Sequence, residues 1–123
     1  MNTYLLRVVG AGLFYVFIFL SGIWLSRSGR PLHAGIFTVH KLISLAAVAF
    51  LVWTIVQINR AASLQPMGWI AVAVTAVLFL GTVASGALLS FDRPVPAVVL
   101  SIHRIAPILT VLSSAATLYV LRA

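Results

Sequence analysis

Two histidine–cation pairs, His40-Lys41 and His103-Arg104, lie 63 positions apart within apolar stretches of this chain. An imidazole is costly in a lipid bilayer, so an intramembrane histidine needs a partner and indicates a functional site. Neutral imidazole nitrogen is a good ligand for haem iron. The matched pair therefore predicts the two axial ligands of one haem, with Lys41 and Arg104 placed to neutralise its propionates. The alternative is that both pairs are interfacial anchors or packing residues, because each cation precedes 17 uncharged residues.

The composition places this chain in a membrane. It has 123 residues, of which 63% are hydrophobic and 7% are charged, and such a chain cannot cover the polar surface of a soluble domain. Eight Lys and Arg against the single acid Asp92 give a net charge of +7. These cations are scattered through connectors and helix ends, which excludes nucleic acid as a partner and indicates lipid headgroups. The absence of cysteine excludes Fe–S clusters and covalent haem attachment.

Four apolar segments have the roughly 20 residues that a helix needs to cross a bilayer. The connectors between them are short and contain glycine, proline or polar residues, so neighbouring helices are expected to run antiparallel. The sequence predicts an all-α integral membrane protein, a single up-down-up-down four-helix bundle over residues 1–123. The expected spans are residues 4–26, 32–58, 66–91 and 95–121.

Internal similarity predicts a tandem duplication of a two-helix unit. The segment Ser21–Ser26 (SGIWLS) matches Ser85–Ser90 (SGALLS) at an offset of 64, and the histidine segments match at an offset of 63. Both units run in the same direction, unlike the inverted repeats common in transporters.

The positive residues suggest an orientation in the cell membrane. Counting them places the connectors at residues 27–31 and 92–94 inside. If Lys41 and Arg104 instead serve a ligand, the count becomes three against three, and that alternative stays open.

The surroundings of the two histidines suit a flat macrocycle. His40 and His103 each lie about eight residues into a helix, and therefore roughly 12 Å below the same membrane surface. Small residues continue the histidine faces, and glycines on the other two helices let backbone approach a ligand closely. The residues expected to line the cofactor in this way are Ser44, Thr110, Gly22 and Gly86. Small residues also dominate ordinary helix packing in membranes, and this alternative stays open.

The remaining polar residues are less informative. His33 lies about 10 Å nearer the surface than His40 by helical rise, and is expected at the interface, with a proton or quinone contact as the alternative. A three-histidine zinc or copper site is disfavoured, since no carboxylate lies nearby. Asp92 is expected to form a turn or to pair with Arg93 rather than to catalyse. Hydrolytic motifs are absent from the sequence.

With these residues the chain resembles membrane b-type cytochromes with four-helix haem cores, such as the cytochrome b561-like proteins. The likeness covers the whole chain in architecture, and its specific residues are the two histidine–cation pairs with Gly22 and Gly86. The resemblance implies one non-covalent haem b between His40 and His103. It also implies electron transfer to or from a quinone or a partner redox subunit, rather than stand-alone catalysis. The sequence departs from two-haem members because no histidine lies near the opposite surface.

The competing function class is a cofactor-free structural or assembly subunit of a larger membrane complex. In that case the bundle packs against other subunits or against further copies of itself. A small transporter or channel is disfavoured by the near-absence of acidic residues and of interrupted helices at mid-membrane depth.

Overall fold

The computed structural model describes residues 2–91 and 93–122, and this part of the chain contains four helices and no strand. The helices are α1 (Thr3–Arg27), α2 (Ala34–Ala61), α3 (Pro66–Leu89) and α4 (Ala97–Val120). Each is long and apolar enough to cross a membrane. The predicted all-α class is confirmed, and the four helices of the described residues are compatible with a multi-pass membrane protein. Asp92, expected in a turn, lies outside the described residues.

The limits of α2 differ from the predicted span because of local capping. The helix begins at Ala34, two residues later than expected, since His33 occupies the N-cap position. The Nδ1 atom of His33 accepts a hydrogen bond from the backbone N–H of Ile36 at 3.2 Å, which satisfies one of the donors that a helix start leaves unpaired. In the preceding connector, Gly29 has a φ of 73°, a left-handed conformation that glycine adopts without strain.

The chain divides into two compact units, Met1–Ser63 and Leu64–Ala123. We call the helical part of the first unit hairpin 1 (α1 and α2) and that of the second hairpin 2 (α3 and α4). In hairpin 1, the backbone of Gly10 lies against the ring of Phe50, and Ser21 contacts His40. Residue numbers therefore rise along α1 as they fall along the facing side of α2, so the two helices are antiparallel.

Hairpin 2 is also antiparallel, and it is joined by buried hydroxyl groups. The Oγ1 of Thr75 on α3 lies 2.6 Å from the Oγ of Ser113 and 3.0 Å from the Oγ1 of Thr117, both on α4. Further along the same interface, Thr82 and Thr110 place their hydroxyl oxygens 3.5 Å apart. Side-chain hydrogen bonds between membrane helices contribute about 0.6 kcal/mol each on average. Together they fix the register of α3 against α4.

Hairpin 1 lacks the matching hydroxyl contact and packs aromatic rings instead. Phe14 on α1 and Phe50 on α2 place their ring centroids 5.4 Å apart. Thr54 on α2 is fully buried, and its Oγ1 has no hydrogen-bond partner among the described residues. Its counterpart in hairpin 2 is Thr117, but the counterpart of Thr75 is Ala11, which has no hydroxyl. This replacement accounts for the unsatisfied group.

The two hairpins nevertheless bury the same positions. Four buried residues of α2 each have a buried counterpart 63 positions along the chain, three of them on α4 and the fourth at its C-cap. The pairs are Ala47 and Thr110, Leu51 and Ser114, Thr54 and Thr117, and Ile58 and Leu121. The inward faces of α2 and α4 therefore share one register.

Loss of the α3–α4 hydroxyl contact is expected to weaken hairpin 2. In Thr75→Val, the free energy of unfolding should fall by about 0.6 to 1.7 kcal/mol, the range measured for hydrogen bonds between membrane helices. The measurement is a denaturant titration of the protein in detergent micelles. Thr38→Val is the control, because Thr38 is exposed and its hydroxyl bonds only to its own helix, at the carbonyl of Ala34. Equal losses in the two variants would contradict the role given to Thr75.

Candidate functional site

His40 is held by the preceding helix of its own hairpin. It is the seventh residue of α2 and is half-buried. Its Nδ1 lies 2.9 Å from the Oγ of Ser21, which is itself buried on α1. A Cβ added at Gly22 would lie 3.0 Å from the Cε1 of His40, so the edge of the imidazole rests against the glycine backbone. We call Ser21, Gly22 and His40 cradle 1.

His103 has the same surroundings in hairpin 2. It is the seventh residue of α4 and is half-buried. Its Nδ1 lies 3.1 Å from the Oγ of Ser85 and 3.0 Å from the carbonyl oxygen of Thr82, both on α3. A Cβ added at Gly86 would lie 2.8 Å from the Cε1 of His103. We call Ser85, Gly86 and His103 cradle 2.

The two cradles use the same atoms for the same contacts. In each, a buried serine oxygen meets Nδ1, and the next residue is a glycine that admits Cε1. A snorkelling anchor extends its polar end toward water. These imidazoles instead bond to a neighbouring helix inside an apolar segment, where an unpaired polar group is costly. The orientation of each imidazole is therefore set by the neighbouring helix, which is not the behaviour of a snorkelling anchor.

The two cations next to the histidines, Lys41 and Arg104, are exposed. The Nζ of Lys41 lies 5.3 Å from the ring centroid of Phe37, one turn earlier on α2, within the range of a cation–π interaction. Both positive groups thus lie outside the packed interface of their hairpin, where they can meet an anionic group of a ligand or a lipid.

Thr110, expected to line a cofactor, lies in the interface between α4 and α3. It is 1% exposed, and its hydroxyl donates to the carbonyl of Ala106 at 2.7 Å. Ser114 and Thr117 on the same face are also buried. Helix packing, which the sequence left open for these small residues, accounts for their positions.

Ser44, the other small residue expected near the cofactor, is half-buried beside His40. Its Oγ donates to the carbonyl oxygen of His40 at 2.7 Å. The counterpart of Ser44 in hairpin 2 is Pro107, which lies inside α4. Proline has no N–H, so Pro107 cannot supply the helical hydrogen bond that the carbonyl of His103 would otherwise accept.

The contacts of Ser21 and Ser85 with the imidazoles are not predicted from the sequence, because they depend on the register of each hairpin. The sequence signal for these contacts is the similar spacing of serine and histidine across a short connector, which is 19 residues in hairpin 1 and 18 residues in hairpin 2. His33 likewise has a structural role as the N-cap of α2.

No group of three His, Asp or Glu side chains that could hold a metal ion occurs within residues 2–91 and 93–122. Comparisons with protein-family models, with curated proteins and with solved structures find no match to this chain. The two cradles are therefore the observations from which a function can be inferred.

A methyl group at either cradle glycine is expected to displace the imidazole. Gly86→Ala should destabilise hairpin 2 by about 1 to 3 kcal/mol, the usual cost of overpacking. Gly22→Ala should cost less, because its added Cβ meets the ring at 3.0 Å rather than 2.8 Å. The measurement is unfolding in detergent micelles.

Each variant has a control on its own helix. Gly81 on α3 and Gly12 on α1 have no atom within 4 Å of an added Cβ, so alanine there should be neutral or stabilising. Equal behaviour of Gly86→Ala and Gly81→Ala would show that the imidazole does not press on the glycine.

Proposed function

We propose that this chain is a small membrane b-type cytochrome. In this proposal one non-covalent haem b is held between His40 and His103, and the protein passes electrons to or from a quinone or a partner redox protein. The single observation that supports it most strongly is the recurrence of the same serine–glycine–histidine cradle in both hairpins. Two imidazoles, each held by a serine and a glycine of the neighbouring helix, could supply the two axial ligands of one haem.

The donor set of the chain fits this cofactor. A metal-ligating histidine almost always engages its other ring nitrogen with a protein group, which fixes the orientation of the ring. In hairpin 2 the partners of Nδ1 are a hydroxyl and a backbone carbonyl, and in hairpin 1 a hydroxyl takes the same place. When bound, haem would supply one-electron oxidation and reduction. With both axial positions taken by protein, oxygen binding at the iron is not expected.

The matched registers of the hairpins support the proposed architecture. His40 and His103 are both the seventh residue of their helix, about 9 Å along the axis from its start. The inward faces of α2 and α4 bury equivalent positions. We infer a tandem duplication that forms an up-down-up-down bundle, with α2 and α4 parallel and diagonally opposed. Such a bundle brings two histidines to one depth in the bilayer.

We assign the exposed cations Lys41 and Arg104 to the haem propionates, because each directly follows its histidine in the sequence and can pair with a carboxylate. With Lys41 and Arg104 assigned to the ligand, three positive residues remain on each side of the membrane, so the charge count favours neither orientation.

Visible spectroscopy of the purified protein tests the haem assignment. The protein, expressed with ample haem and purified in detergent, should show a low-spin b-type spectrum in the reduced-minus-oxidised difference, with one haem per chain. His40→Ala and His103→Ala should each abolish the low-spin spectrum, because each removes one axial ligand.

His33→Asn is the matched control, since asparagine retains an N-cap acceptor for α2, and it should leave the spectrum unchanged. A colourless wild-type protein would overturn the proposal and favour the cofactor-free subunit. Two haems per chain would contradict a single site shared by His40 and His103.

Removal of either cation next to a histidine should weaken haem binding without changing the low-spin spectrum. Exposed ion pairs contribute about 0.2 to 1 kcal/mol, so Lys41→Gln and Arg104→Gln should each lower the affinity up to about five-fold. Arg60→Gln is the control, since Arg60 lies in the last turn of α2, far from cradle 1 along the helix. Haem titration measures the affinity, and equal effects of all three substitutions would exclude a specific propionate contact.

A further inference from the structure

We propose that Ser21, and Ser85 together with the backbone carbonyl of Thr82, keep the imidazole proton of His40 and His103 on Nδ1, so that the lone pair lies on Nε2. The identity of the metal that would use this lone pair rests on the proposed function. The position of the proton does not, because it follows from the hydrogen bonds of each hairpin.

In cradle 2, a backbone carbonyl decides the position of the proton. The Nδ1 of His103 lies 3.0 Å from the carbonyl oxygen of Thr82, and a carbonyl oxygen can only accept a hydrogen bond. Nδ1 must therefore carry a proton. The hydroxyl of Ser85 donates its own proton to the same carbonyl at 3.0 Å, so its oxygen is left to accept from Nδ1 at 3.1 Å.

In cradle 1, the serine hydroxyl leads to the same assignment. Ser21 donates its only hydroxyl proton to the carbonyl oxygen of Ile18 at 3.0 Å. By analogy with Ser85 in cradle 2, we infer that its oxygen accepts from the Nδ1 of His40 at 2.9 Å. The two serines have the same arrangement, each donating to the carbonyl three residues earlier on its own helix.

This arrangement has a chemical consequence for Nε2. A charged imidazole without a counter-ion is costly in hydrocarbon, so the neutral form is favoured. A neutral imidazole with its proton on Nδ1 has its lone pair on Nε2. Donation of the Nδ1 proton to a hydroxyl or carbonyl also raises the basicity of the ring. The serines thus make both histidines stronger donors through Nε2, which would stabilise the ferric form of a haem held by them.

Nitrogen NMR of the cofactor-free protein tests the proton position directly. With ¹⁵N-labelled histidine at neutral pH, His40 and His103 should show a protonated Nδ1 and an unprotonated Nε2. His33 provides an internal contrast, because its Nδ1 accepts from a backbone N–H and its proton is therefore expected on Nε2. A protonated Nε2 with an unprotonated Nδ1 at either His40 or His103 would overturn the proposal, whether or not haem binds.

The serines are tested by Ser21→Ala and Ser85→Ala. Each substitution should shift the Nδ1–H resonance of the histidine in its own cradle and leave that of the other cradle unchanged. In the haem-loaded protein each should lower haem affinity about 10-fold, the lower end of the effect of residues that support a metal ligand. It should also make the reduction potential more positive. Ser21→Thr and Ser85→Thr, which retain a hydroxyl, should restore the potential.

Ser28→Ala and Ser90→Ala are the matched controls, because these hydroxyls bond only to carbonyls of their own helices. The proposal is overturned if the cradle variants change neither the Nδ1–H resonance nor the potential more than these controls do. A wild-type protein that takes up no haem would end the proposed function, while the resonances of the cofactor-free protein would still decide the role of the serines.

Discussion

The hydrogen bond between an imidazole Nδ1 and a serine of the adjacent helix is the contact on which each half of this protein depends. In hydrocarbon a polar ring nitrogen has no water to bond, so its partner must come from the protein. The partner here comes from the antiparallel neighbour rather than from the histidine's own helix. One contact therefore gives Nδ1 a hydrogen-bond partner, sets the local register of the hairpin and fixes the orientation of the imidazole. The residue after the serine must be glycine, because a Cβ at this position would press against the Cε1 atom of the imidazole.

The two hairpins share this contact although their cores differ. Hairpin 2 is joined by hydroxyl groups such as those of Thr75 and Thr117, whereas hairpin 1 brings together the rings of Phe14 and Phe50. Packing in a membrane tolerates such exchange, because van der Waals contacts and hydrogen bonds both hold helices together. The cost of the exchange is visible at Thr54, whose hydroxyl is buried without a partner among the described residues. Both cradles keep the contact between serine and Nδ1 and the glycine beside Cε1, which separates them from the rest of the interface.

The fold was predictable from the sequence to the extent that it depends on chain length and apolarity. Four apolar runs of sufficient length can only be helices in a bilayer, and four such helices are present. The start of α2 was not predictable from the usual capping residues, since histidine is not among them. The partners of His40 and His103 could not be read from helical periodicity either. Periodicity shows which residues share a face, but the facing helix is set by the interhelical register, and that register placed Thr110 in packing.

Pro107 and Ser44 give the two histidine-bearing helices different mechanical properties. The backbone carbonyl of His40 accepts a hydrogen bond from the hydroxyl of Ser44. The carbonyl of His103 lacks the usual helical hydrogen bond from the residue one turn later, because that residue is Pro107 and proline has no N–H. The turn that supports His103 is therefore the softer of the two. A displacement of the imidazole is therefore expected to cost less energy in α4 than in α2.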